Sequence, residues 1–132
     1  MAEKLGRMGK RWEEMVEVAS FEVNLVMKTL PATVRETANA VPVVFERKPR
    51  KHLIKEGIAP DTMGLFEGSS CMDPEGATAE LPSQITLFLD NIWDEADADT
   101  ARFREEVRIT LLHELGHYLG YDELDLAERD LE

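Results

Sequence analysis

Residues 100–120 read TARFREEVRITLLHELGHYLG, and the fold is legible from this stretch outward. Phe103, Val107, Leu111, Leu115 and Tyr118 recur at steps of four and three, which predicts a helix from about Thr100 to Leu119 with one apolar stripe. Asp and Thr residues just before it suit a helix start. Gly120 ends it, because glycine tolerates the positive φ that turns a chain out of a helix. Within the helix stands His113-Glu114-Leu115-Gly116-His117, an H-E-x-x-H pattern. Residues four apart on a helix differ by only about 40° in direction, so both imidazoles project from one face, one turn apart. Zinc accepts nitrogen donors at about 2.0–2.1 Å in a tetrahedral shell, and this pair can supply two. Glu114 lies alongside, placed to act on a water rather than to ligate. Zinc lowers the pKa of a bound water towards 7, Glu114 would take the proton, and a carbonyl would be attacked. The competing interpretation is two structural histidines on a core helix.

After a turn at Gly120 the following residues can approach the metal and would supply the third ligand. In the pattern H-E-x-x-H-x-x-G-x-x-H the last position is Glu123 here. A carboxylate oxygen is an acceptable zinc ligand, so Glu123 is favoured by register, with neighbouring Asp122 as the alternative. Both would also serve as N-cap and first-turn charge for a last short helix over Glu123 to Leu131. Tyr118 and Tyr121 are candidate donors to a developing oxyanion, or core and rim residues. His52 is the only other histidine; it is an extra ligand candidate or, more simply, an exposed residue of a basic loop. Cys71 is a candidate cap for the metal or an ordinary loop thiol.

Upstream, residues 1–10 are polar and contain Gly6 and Gly9, which predicts fraying. Trp12 to Leu30 carries apolar residues at helical spacing, and Pro31 ends that helix. Pro31 to Asn39 has the makings of a further helical turn. Val41 to Glu46 is a β-branched run, with Pro42 at a strand start or edge. Arg47 to Lys55 reads as a solvated basic loop. Met63 to Gly68 is a short strand, and Ser69 to Glu80 an exposed loop. Ser83 to Asp90 is the best strand, with Ile85, Leu87 and Leu89 on one face. If it lies at a sheet edge, it would pair with an extended substrate. Trp93 to Asp99 is an acidic lead into the motif helix.

With 132 residues and 43% hydrophobic content, the chain fits one domain, residues 1–132. The net charge of −12 is unevenly spread. Residues 1–55 hold 11 Lys and Arg against 7 Asp and Glu, whereas residues 56–132 hold 4 against 20. The motif lies in the acidic half, which should repel phosphate backbones, so nucleic acid is not an expected partner. A single cysteine excludes an internal disulfide. The basic start is followed by no apolar run of signal-peptide kind, and no stretch approaches the roughly 20 apolar residues of a membrane helix. The expected location is therefore the cytoplasm, with no membrane partner.

Three stretches carry a resemblance: Gly64 to Gly68, Leu81 to Phe88, and above all Glu105 to Glu123. In these the chain resembles the small bacterial family of minimal zincin-like metallopeptidases, with the pattern HExxHxxGxx[D/E]. The order of helix and strands extends the likeness over nearly the whole chain. The resemblance implies an α+β fold, with an N-terminal helix, a small sheet and the motif helix across it. It implies zinc on His113 and His117, an acidic third ligand after Gly120, Glu114 as general base, and peptides or proteins as substrates. An acidic residue at 123 departs from the larger metzincins, and so does the absence of a methionine turn, since all six methionines lie at or before Met72. The basic stretch 47–55 and residues 71–76 are particular to this chain. Two other functions compete. H-x-x-x-H-x-x-G-Y-D also resembles the bacterial ribosomal RNA maturation endonucleases, a metal-dependent ribonuclease reading that Glu114 and the acidic surroundings oppose. Alternatively, zinc only staples a non-catalytic binding module.

Overall fold

The computed structural model describes residues 2–68 and 83–120, with side chains from Arg11 onward. The elements are α1 (Ala2–Thr29), α2 (Ala32–Asn39), β1 (Val43–Glu46), α3 (Lys51–Lys55), β2 (Gly64–Glu67), β3 (Gln84–Phe88), α4 (Leu89–Glu95) and α5 (Thr100–Tyr118). Helices around a small mixed sheet make the α+β architecture that the sequence implies.

Helix α1 begins at Ala2 rather than Trp12, running through Gly6 and Gly9. Its buried face is Met15, Ala19 and Val26, spaced by four and seven, and Leu30 continues it. Pro31 both ends α1 and starts α2: it lacks an N–H to continue the first helix, while its carbonyl accepts from Val34 and Arg35. The Arg35 guanidinium reaches back 2.9 Å to the Leu30 carbonyl and satisfies an acceptor at the end of α1.

The three strands lie in the order β1-β3-β2. Strand β3 is therefore central, parallel to β1 and antiparallel to β2. This excludes the edge role that the sequence left open for it. Ile85, Thr86, Leu87 and Phe88 are all buried instead of alternating, the pattern of a strand covered on both faces. β3 gives way to a helix at once. Leu89, expected in the strand, opens α4, and Leu89, Asn91 and Ile92 are its buried residues. The basic stretch after Arg47 is likewise not all loop, since Lys51–Lys55 forms the single turn and a half of α3.

Helix α5 packs on β2 and β3 and also on α1 and α4, so it lies at the centre of the molecule. Its stripe of Phe103, Val107, Leu111, Leu115 and Tyr118 is buried as expected. The start is set by Asp99, whose carboxylate accepts from the Arg102 backbone N–H at 2.9 Å. The chain between α4 and α5 turns through two left-handed residues, Asp97 (φ 53°) and Ala98 (φ 59°). Trp93 packs edge-on against Phe103 and closes that corner.

Candidate metal centre

The last two turns of α5 bring His113 and His117 together. Their Nε2 atoms stand 3.1 Å apart and their rings 4.7 Å between centroids, nearly perpendicular at 81°. Two nitrogens bonded at 2.0–2.1 Å to one tetrahedral ion would stand about 3.3–3.4 Å apart. The pair therefore fits zinc with an adjustment of a few tenths of an ångström. The Glu114 carboxylate joins them: a ligand atom from each of His113, Glu114 and His117 falls within 4.8 Å of the others. That separation is within the reach of a carboxylate acting through one water. All three side chains are half-buried, anchored on a packed helix yet open to solvent on one side. Among the described residues this is the one cluster of three or more potential metal-binding side chains.

The helix ends where the motif ends. Leu119 donates to the Leu115 carbonyl at 2.8 Å, Gly120 donates to the His117 carbonyl at 3.1 Å, and Gly120 has φ 90°. The left-handed glycine predicted after the second histidine is thus present, and it ends the helix there. Asp122 and Glu123, the expected third ligands, lie outside the described residues, as do Tyr121 and Cys71. His52 is exposed on α3 and is not a member of the cluster. Tyr118 is buried, with its ring edge-on to Phe66 at 5.8 Å.

Strand β2 forms the wall of the site that sequence reasoning did not identify. Met63 and Phe88 are opposite one another in the β2–β3 register, and Phe88 donates to the Met63 carbonyl at 2.8 Å. In an antiparallel pair every second residue bonds to its partner, so Leu65 and Glu67 also turn their backbone groups to β3. Gly64 and Phe66 turn theirs the other way, to an edge that no strand covers among the described residues. The Gly64 backbone comes so close to α5 that a Cβ there would meet Thr110 and Glu114. The loop leading into β2 is tied down by Asn91, only 7% exposed, whose Nδ2 donates to the carbonyls of Pro60 and Thr62, both at 2.8 Å. The sequence signal for this wall was the Gly64 to Gly68 block, which marks a strand but says nothing of what the strand touches.

No helix of the described residues is long and apolar enough to cross a membrane. None of the curated proteins compared with the chain matches it. The family model described as zincin-like metallopeptidase matches residues 38–132, from the end of α2 through β1, the sheet and α5. The match is narrower than the whole-chain likeness expected from the sequence, because α1 precedes it. It spans most of the chain and includes the His113, Glu114 and His117 cluster, and the chain belongs to the zincin-like metallopeptidase family.

Proposed function

We propose that the chain is a zinc-dependent peptidase, with His113 and His117 as metal ligands and Glu114 as general base. The observation that carries this reading is the pair of Nε2 atoms 3.1 Å apart with the Glu114 carboxylate beside them, on the family's motif helix. A carboxylate after Gly120 completes the donor set, Glu123 by register or Asp122 beside it. Zinc, when bound, supplies Lewis acidity that activates water near neutral pH and polarises a carbonyl. Glu114 accepts the proton of the attacking water and passes it to the departing amine, so that one carboxylate serves as base and then as acid.

The free edge of β2 supports a substrate in extended conformation. Gly64 and Phe66 present outward N–H and C=O groups next to Glu114, and a peptide laid along them gains main-chain hydrogen bonds while its scissile bond faces the carboxylate. This is the pairing role that β3, buried between two strands, is unable to take. The acidic half of the chain favours basic peptides and disfavours nucleic acid.

Glu114→Gln tests the reading. Gln keeps the shape of the side chain but cannot take up the proton. The variant should hold as much zinc as the wild type, while hydrolysis of unstructured peptides falls by about 10²–10⁴-fold. Hydrolysis at the wild-type rate would remove Glu114 from the role.

A further inference from the structure

Gly64 differs from the turn glycines of this chain. Gly57, Gly68 and Gly120 have φ of 103°, 96° and 90°, where a side chain is strained by backbone conformation alone. Gly64 has no positive φ and sits in a regular strand, where glycine is otherwise a poor choice. Its reason is proximity. A Cβ at residue 64 would lie 2.5 Å from Thr110 Cγ2, 3.2 Å from Glu114 Cγ and 3.5 Å from Leu87 Cδ2. The first distance is an overlap, and the second requires Glu114 to give way. Thr110 and Glu114 are one turn apart on α5, so the bare Cα of Gly64 seats against both at once.

We propose that Gly64 is a positioning residue for Glu114: by lacking a side chain it lets the β2 backbone close on α5 and fixes where the Glu114 stem lies beside His113 and His117. The proposal rests on Glu114 being the general base, and it assigns Gly64 no contact with metal or substrate. A methyl group at 64 requires the Glu114 stem to give by a few tenths of an ångström, and the carboxylate moves with it. A misplacement of about 1 Å costs about 100-fold, so one of a few tenths lowers turnover by about tenfold. Neither histidine supplies one of the three atoms nearest to a Cβ at 64, so Glu114 is the member of the cluster that the methyl group presses on first.

The test separates crowding of Thr110 from crowding of Glu114. Gly64→Ala alone overlaps Thr110 and should lower the melting temperature by about 5–10 °C. Thr110→Ser removes the overlapping methyl, so Gly64→Ala in that background should recover most of this loss. Its zinc content and KM should match those of Thr110→Ser alone, while kcat stays at least about tenfold lower. Recovery of kcat together with stability would reduce Gly64 to a packing residue and overturn the proposal. A second arm needs no activity. In zinc-free protein carrying Thr110→Ser, the remaining cost of Gly64→Ala should vanish when Glu114→Ala is added, because the Cγ it presses on is gone. Additive melting shifts for Gly64→Ala and Glu114→Ala would overturn the proposal whether or not the wild type cleaves peptides. Coupled shifts in a wild type that cleaves nothing would leave the contact standing and count against the peptidase reading alone.

Discussion

Asn91 ties the loop before β2 to α4, and replacing it should weaken the fold and the site together. Its amide makes two hydrogen bonds of 2.8 Å, to Pro60 and Thr62 carbonyls, from a side chain 7% exposed. Each such bond contributes about 0.5–1.5 kcal/mol net, so Asn91→Ala should cost about 1–3 kcal/mol, the carbonyls being near enough to the surface for water to recover part of the loss. Asn91→Asp is the sharper perturbation. It preserves shape but sets acceptor oxygens against the same two carbonyl oxygens and adds a buried charge, so it should cost at least as much as Ala. Urea unfolding of protein stripped of zinc by a chelator measures both costs without a contribution from metal binding. For a chain of 132 residues, each kcal/mol corresponds to about 3–6 °C of melting temperature. An Asn91→Asp variant within about 0.5 kcal/mol of wild type would refute the clamp, since no donor would then be needed at that position.

Two further substitutions bear on the turn after the motif. Gly120→Ala, at φ 90°, should cost about 1–2 kcal/mol in thermal unfolding and, if Glu123 or Asp122 is the third ligand as proposed, weaken zinc binding as well. An unaltered zinc affinity in that variant would separate the turn from the metal. Of Glu123→Ala and Asp122→Ala, the first should reduce zinc affinity at least about tenfold and the second much less. Competition with a chromogenic chelator reads both, and the reverse order would assign the ligand to Asp122.

What the sequence revealed and what it concealed divide along one line. The buried stripe of α5 is legible because Phe103, Val107, Leu111, Leu115 and Tyr118 repeat over about four turns. The H-E-x-x-H geometry follows from the same periodicity, and Gly120 was identifiable because only its own φ was at issue. Short elements escaped. Lys51–Lys55 and Leu89–Glu95 are too brief to show a 3.6-residue period, so the sequence of α3 resembles a loop and the start of α4 a strand. The N-terminal turns of α1 were hidden by Gly6 and Gly9, whose low helix propensity signals fraying. Strand order was hidden for a different reason. Gln84–Phe88 shows a strand, but which strands flank it depends on the path of the whole chain. The roles of Gly64 and Asn91 are tertiary in the same way, each arising from contact with an element more than 25 positions away.

The central claim is that His113 and His117 hold one metal ion. Elemental analysis of protein purified without an affinity tag tests it most directly, comparing wild type with His113→Ala and confirming by thermal unfolding that the variant is folded. The account predicts about one zinc per wild-type chain and almost none in the variant. Wild-type protein that stays metal-free even after zinc is supplied would contradict it, leaving the 3.1 Å Nε2 pair as a hydrogen bond between two packed imidazoles.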